Sequence, residues 1–326
     1  MSTRLTLKSF EGERPQEVLW FRGQIIGTEG SFSYLIGKEG AGKSYVLSCM
    51  AAAVLREGDV LCFSGAMPYG KSKVLFVDTE QSKFYEENVY RRILTLAGRR
   101  EDEDDENLLY IEAADLTDAQ LCEEITEQLR QEPKIGYIII DNAGDLVEDV
   151  NNIAETKENA RKWLPSLCRQ HGVHATVVMH ENKSDHNGQG WQGSYLKKGC
   201  EAAMRVEREK NDNFSTITFK EGKLRGGEKP KDFEFYINSE DLPIEGKGEE
   251  RKSDENIPKE THVEAVNIAF ADGPISSYKN LLKKFLWSYS EVGAPTTRRK
   301  IEKRITFLRQ ENYISYDRGK YFLPPF

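Results

Sequence analysis

No stretch of the sequence approaches the roughly 18 consecutive apolar residues a membrane helix needs. The first residues, MSTRLTLKSFEGERPQ, also lack the apolar core of a secretory signal. The expectation is a soluble, cytoplasmic protein with no membrane contact. Paired cysteines are missing as well: the five (Cys49, Cys62, Cys122, Cys168, Cys200) are odd in number, far apart and without a C-x-x-C pair. A disulfide framework is thereby excluded, and each is expected as a buried, reduced thiol. Internal repeats are absent too. What the chain does have is 326 residues and 38% apolar content, enough at about 150 residues per domain for two domains with a real core.

Charge is plentiful but unevenly placed. The formal net charge is −8, yet Gly273 to Phe326 carries 11 Lys+Arg against 4 Asp+Glu, a net of +7, leaving −15 on the first 272 residues. A basic module on an acidic body points to a nucleic-acid contact, because phosphate neutralisation needs local positive charge rather than a high overall pI. Between the two lies SEDLPIEGKGEERKSDENIPKE, Ser239 to Glu260, too poor in apolar residues to fold and expected as an exposed linker. The acidic RREDEDDE, Arg99 to Glu106, is expected as a surface loop.

Before the linker, apolar runs of strand length alternate with longer amphipathic segments, the pattern of an α/β fold with a mostly parallel sheet. Strands are expected at Phe32–Ile36, Lys73–Val77, Leu108–Ile111, Ile135–Ile140 and His174–Met179. Antiparallel extensions follow at Ala202–Glu207, Ser215–Lys220 and Phe233–Ile237. Helices are expected at Lys43–Arg56, Ser82–Leu96, Asp118–Gln131 and Ile153–Gln170.

The sharpest signal is Gly37-Lys38-Glu39-Gly40-Ala41-Gly42-Lys43-Ser44, a match to GxxxxGK[ST] that follows an apolar strand and opens a helix. Its glycines let backbone N–H groups turn toward a phosphate at the positive end of the helix. The expected nucleotide contacts are Gly37, Gly40, Ala41, Gly42, Lys43, Ser44 and Tyr45, with ATP and Mg2+ as the implied ligands. Lys43 meets the β and γ phosphates and Ser44 ligates the metal. Asp141, closing the run Ile135–Ile140, is the expected second metal residue. Val74–Val77 ends in Asp78-Thr79-Glu80, where a carboxylate could reach the γ-phosphate from the neighbouring strand and activate water. Glu80 takes that role, with Asp78 as competitor. His180-Glu181-Asn182, at the end of another strand, offers polar groups that sense the γ-phosphate. The loop after it, Lys183 to Gly193 with Trp191, suits stacking on single-stranded bases.

In order, GKEGAGKS, DTE, IIIDN and HEN make residues 20–238 resemble the RecA-like ATPases, particularly the branch of RepA-type hexameric replicative helicases of plasmids and mobile elements. That branch has two adjacent histidines where this chain has His180-Glu181. The resemblance implies a homo-oligomeric ring, a hexamer in that branch, in which a basic residue completes the neighbouring subunit's site. Lys223 and Arg225, in EGKLRGGEKPKDFEF, stand where such a finger belongs.

In the basic tail, helices are expected at His262–Phe270, Tyr278–Ser288 and, after the cap Ala294-Pro295-Thr296-Thr297, through Asn312. Ile301, Ile305 and Leu308 mark the buried face of the last helix. Arg298, Arg299, Lys300, Lys303, Arg304 and Arg309 line the rest. A hairpin at Ile314–Tyr316 and Tyr321–Leu323 completes a winged-helix-like pattern that could hold duplex DNA. The expected organisation is a RecA-like P-loop ATPase domain (1–238), a polar linker (239–260) and a winged-helix-like basic domain (261–326). The expected activity is DNA-dependent ATP hydrolysis, as a helicase or DNA-handling ATPase. Two alternatives are an ATP-switched DNA-binding regulator without unwinding activity and a signalling ATPase or kinase.

Overall fold

Strands rich in Val, Ile and Leu without polar alternation are stable only where a sheet is covered on both faces, and that is where they lie. The structure, a computed structural model, describes residues 14–81, 83–182, 187–209, 213–247, 257–294, 296, 298–317 and 319–324. It divides into two compact units, one of residues up to Tyr236 with Pro243–Lys247, the other of Ile237–Leu242 with Gly248–Phe326.

The first unit opens with β1 (Glu17–Phe21) and β2 (Gln24–Thr28), a hairpin whose turn, Arg22-Gly23, has φ of 49° and 77°, as a two-residue turn of this twist demands. β3 (Phe32–Gly37) leads through the phosphate loop into α1 (Lys43–Arg56), followed by the short β4 (Asp59–Val60) and β5 (Phe63–Gly65). The alternation then runs β6 (Lys73–Asp78), α2 (Lys83–Leu96), β7 (Leu108–Glu112), α3 (Asp118–Gln131), β8 (Ile135–Asp141), α4 (Ile153–Glu158), α5 (Leu164–His171), β9 (His174–His180) and α6 (Gly190–Gly199). β10 (Ala202–Glu207), β11 (Phe214–Leu224), β12 (Phe233–Ile237) and β13 (Pro243–Glu245) close the sheet.

The main sheet has nine strands in the order β13-β12-β11-β10-β3-β9-β8-β6-β7. β10, expected as an antiparallel extension, pairs parallel with β3, Val206 opposite Gly37, because the α6 crossover returns the chain in the same direction. By contrast, β11 runs antiparallel to both β10 and β12. β6 does not neighbour β3, since β9 and β8 stand between them. Leu121, Ile125 and Leu129 of α3, Leu164, Leu167 and Cys168 of α5 and Leu196 of α6 seal one face over Ile36, Val77, Ile140 and Val177. On the other face α1 buries eleven of its fourteen residues, more than one stripe, because it packs against β1 and β5 as well as the main sheet and α2.

Two sequence expectations change. The helix read over Ile153–Gln170 is interrupted by a π turn at Asn159–Trp163. Pro165 in the first turn of α5 has no N–H to return to Arg161, and Leu164 N–H instead reaches Asn159 O. The segment read as a linker contains a turn closed by Asn238 N–H to Leu242 O at 2.9 Å and the edge strand β13. Pairing main chain needs no apolar side chains, and Pro243 stands at the first position of an edge strand, where its missing N–H costs nothing. Of the rest, 248–256 lies outside the described residues.

The second unit holds α7 (Lys259–Ala269), α8 (Tyr278–Glu291), α9 (Arg298–Gln310) and a hairpin of β14 (Ser315–Asp317) and β15 (Lys320–Phe322). Ile301, Ile305 and Leu308 pack on Ala265, Leu281, Phe285 and Tyr289. Pro295 and Thr297 of the expected cap lie outside the described residues. Arg304 corrects the expected basic face: it is 6% exposed, its guanidinium lies 4.6 Å from the Tyr289 ring centre, and it donates to Ala294 O. Among the described residues no helix is long and apolar enough to cross a membrane.

At Gly65 an added Cβ would stand 2.4 Å from the backbone of Ala53 and Val54, so this approach of β5 to α1 admits only a glycine. Gly65→Ala is expected to destabilise the first unit by about 1–3 kcal/mol, read as a lowered urea midpoint. An unchanged midpoint would show that β5 can move off the helix.

Candidate active site

Parallel strands β3, β9, β8 and β6 bring their carboxyl ends to one edge of the sheet, and the polar residues read from the sequence collect there. At Gly37 a Cβ would fall 2.4 Å from Val206 O, so the strand can enter the loop beside β10 only as glycine. Gly42 caps α1 at φ 100° with no side-chain cap, leaving the first N–H groups of the helix to the loop's concavity.

Lys43 folds back over that loop. It is 8% exposed, and its Nζ donates to Gly37 O at 3.1 Å, Lys38 O at 3.2 Å and His180 Nδ1 at 3.2 Å. An ammonium has no lone pair, so Nδ1 must accept, and the proton of the neutral ring sits on Nε2. Nε2 in turn donates to Glu80 Oε1 at 2.6 Å, which also accepts from Asn142 Nδ2 at 2.9 Å. The result is one hydrogen-bonded line, Lys43–His180–Glu80–Asn142, across the ends of three strands. Glu181 N–H ties β9 to the loop through Gly37 O at 3.3 Å, and the Glu181 carboxylate pairs with Arg205 at 3.3 Å.

The two carboxylates of the Asp78-Thr79-Glu80 turn part company here. Asp78 is 1% exposed, and its oxygens accept from Glu80 N–H, Gln81 N–H, Gln81 Nε2 and Tyr110 Oη, so it caps the turn. Glu80 reaches out to the relay instead. Burial alone would raise its carboxyl, but hydrogen bonds from His180 and Asn142 and the nearby Lys43 charge bring it below the usual range.

Asp141 is 6% exposed and its Oδ1 has no hydrogen-bond partner. Burial, with Glu80 and Asp78 adding repulsion, pushes its carboxyl up to about 7 despite the pull of Lys43. Burial likewise lowers Lys43, against the opposing pull of Asp141 and Glu80. A buried carboxylate oxygen without a donor fits a divalent cation, with Ser44 on the first turn of α1 as the second oxygen ligand. Among the described residues no three His, Cys, Asp or Glu side chains form a metal cluster, so such an ion depends on phosphate oxygens and water for its other ligands.

Other expected residues are placed elsewhere. The Tyr45 ring lies 3.9 Å beneath the Arg92 guanidinium of α2. Lys223 donates to Lys197 O and Lys198 O, and Arg225 to Cys200 O and Lys198 O, so both cap the carboxyl end of α6. Lys223 is opposite Ala203, at the start of β10, whereas Gly37 is opposite Val206 near its end, and neither basic residue joins the relay of its own subunit. In the segment read as a loop from Lys183 to Gly193, α6 has begun by Gly190. Trp191 therefore stands on a helix, 44% exposed, with its ring centre 6.2 Å from that of Tyr195. Residues 183–186 lie outside the described residues.

Sequence reasoning missed Asn142 and Thr79. Asn142 N–H donates to Thr79 Oγ1 at 2.9 Å, and Thr79 Oγ1 donates to Asp145 Oδ2 at 2.5 Å, which fixes the two turns against each other. The available signal was their position, each directly after the last residue of a buried strand.

A mostly parallel α/β sheet with GKEGAGKS between its central strand and a buried helix defines a P-loop protein. The family model described as the AAA domain matches residues 4–186, more than half of the chain, and the protein belongs to that family of ATPases. No curated protein matches it. Among 694 matching chains of solved structures is the RadB recombinase, at 14% identity and a TM-score of 0.46, covering 65% of this chain and 90% of that one.

The pH dependence of Asp141 is testable without nucleotide. The folded protein keeps this proton up to about pH 7, whereas an unfolded chain releases it near pH 4, so the group costs stability as pH rises between those values. Asp141→Asn is therefore expected to raise Tm more at pH 8 than at pH 5, by calorimetry in chelator. An equal gain at both pH values would overturn this account.

Proposed function

We propose that this protein is a Mg2+-dependent ATPase of the RecA-like kind that acts on DNA as a ring of identical subunits, as a RepA-type helicase or another DNA-handling ATPase of a mobile element. The observation that carries the ATPase half is the relay Lys43–His180–Glu80–Asn142 beside the unpartnered oxygen of Asp141. In this reading Lys43 leaves the carbonyls of Gly37 and Lys38 for the β and γ phosphate oxygens of ATP. Glu80 accepts the proton of the attacking water, and Asn142 holds its carboxylate in place. His180 touches both Lys43 and Glu80, so it senses which partner Lys43 has. Mg2+ held by Ser44 and Asp141 would supply positive charge to the phosphate oxygens. Arg225 and Lys223 act only toward a neighbouring subunit's phosphates, which requires them to leave the end of α6.

The DNA half is supported by the +7 of the last 54 residues and by the three helices and hairpin of the second unit, an arrangement like a winged helix with α9 as the recognition helix. Single strands would meet the Trp191 segment, duplex the second unit.

Lys43→Ala is expected to abolish ATP turnover. Glu80→Gln is expected to keep nucleotide binding within a few-fold while slowing hydrolysis by at least about 100-fold. Comparison of fluorescent-nucleotide titration with phosphate release checks both. If Asp78→Asn, and not Glu80→Gln, separates binding from hydrolysis, the roles are reversed.

Deleting 257–326 is expected to weaken DNA binding and flatten the dependence of log affinity on log salt, by about 0.9 for each duplex phosphate that the shortened protein leaves unneutralised. An unchanged slope would make the second unit a protein-binding module.

A further inference from the structure

The second unit carries a row of tyrosines of which its core accounts only for the middle one, Tyr321. Tyr321 of β15 is 8% exposed and forms the middle of the row. Its ring centre lies 4.6 Å from that of Tyr316 on β14 and 6.3 Å from that of Tyr278 at the start of α8. The outer two rings face solvent, Tyr316 at 52% and Tyr278 at 41% exposure. The row is held rigidly, because Tyr321 exchanges both backbone hydrogen bonds with Ile275, at 2.9 Å each, which fastens the hairpin to the segment leading into α8.

Charge of both signs lies beside it. Arg309 of α9 acts electrostatically on Tyr278 and Tyr321, whereas Arg298, eleven residues earlier and so on the same helical stripe, is paired at 3.5 Å with Glu302, which acts on Tyr278 more strongly than either arginine. Lys320, exposed, flanks Tyr321 on β15. About half of each outer tyrosine, on the order of 100 Å2 of amphipathic surface, is open to a partner. Flat π faces beside Arg309 and Lys320 match unpaired bases on a phosphate backbone: the rings stack and the two cations meet the phosphates. A duplex offers no base faces to a ring outside it, so exposed rings favour single strands.

We infer that Tyr278 and Tyr316, spaced by Tyr321, form a stacking platform for the unpaired bases of single-stranded DNA, with Arg309 and Lys320 binding its backbone. This deepens the DNA reading given above and rests on it. It adds to the Trp191 segment a second single-strand contact, at the hairpin and the start of α8, separate from duplex binding by α9.

The test uses the full-length protein and two fluorescent probes, a dT oligonucleotide and a mixed-sequence hairpin duplex, in anisotropy titrations at fixed salt. Tyr278→Ala and Tyr316→Ala are each expected to weaken dT binding about tenfold while duplex affinity stays within about twofold. Tyr316→Phe keeps the ring and is expected to bind dT as wild type does. Both tyrosines are exposed, so unchanged far-UV circular dichroism and Tm are expected in all three variants. If wild type binds neither probe, the DNA reading itself fails, and the platform with it. If wild type binds dT and the alanine variants bind it equally well, or lose dT and duplex in equal measure, the platform alone is overturned. Loss of dT binding in Tyr316→Phe would also overturn it, because the hydroxyl and not the ring would then make the contact.

Discussion

Burial of one ammonium among carboxylates at the strand ends is the constraint on which the rest of the first unit depends. A parallel sheet delivers the carboxyl ends of β3, β9, β8 and β6 to a single edge, and the helices on both faces limit the water that can reach it. Lys43 and Asp141 are both nearly inaccessible there, and each is displaced toward its neutral form, Lys43 downward and Asp141 up to about 7. Their mutual attraction does not cancel the cost of burial. A polyanion at Lys43 and a cation at Asp141 relieve both at once, which is the charge pattern of a magnesium nucleotide. Neutral His180 fits the same logic: its two nitrogens satisfy Lys43 on one side and Glu80 on the other without adding a further charge.

Much of this was legible in the sequence because buried parallel strands need no alternation. Ile135–Asp141 reads as a strand from its apolar run alone, and its last residue is placed by the end of that run. The same holds for β3, β6 and β9, so the phosphate loop, Asp141 and His180 could be assigned to one edge. Choosing between Asp78 and Glu80 could not be done that way, since both follow the same strand within three residues. Only coordinates show that Asp78 spends its oxygens on the turn and on Tyr110. Strand order was equally hidden: β6 follows β3 in sequence, yet two strands stand between them. Glu80 reaches the phosphate loop only by way of His180.

What stayed illegible was short or many-bodied. β4 and β5 have two and three residues, below any periodicity, and are fixed by the Gly65 approach to α1. The parallel direction of β10 follows from helix α6, which begins inside a stretch rich in glycine and polar residues. Arg304 reads as a solvent-facing base from its helical position but stacks on Tyr289, because a guanidinium can bury its flat face on a ring while its N–H groups find a carbonyl. Tyr45 reads as a nucleotide contact from its place in the motif, and the sequence gives no sign that its ring carries Arg92, nearly fifty residues on.

The end of β9 joins the site to the flank of the sheet. His180 O accepts from Gln189 N–H, and Trp191 and Gln192, in the first turn of α6, both donate backbone N–H to Val150 O. The buried Gln192 side chain donates to Asn159 Oδ1 at 2.8 Å, and Asn159 donates to Leu146 O at 3.1 Å, just past the strand that ends in Asp141. Asn159 opens the π turn, where the helix is widened and its backbone bonds are least regular. A shift of His180 large enough to release Lys43 and Glu80 therefore strains the His180–Gln189 bond at the entrance to α6, and α6 is held at its other end by Lys223 and Arg225. The two basic residues proposed above to act at a neighbouring site thus cap the helix that follows His180. Any movement that frees them must break the hydrogen bonds to the carbonyls at the end of that helix.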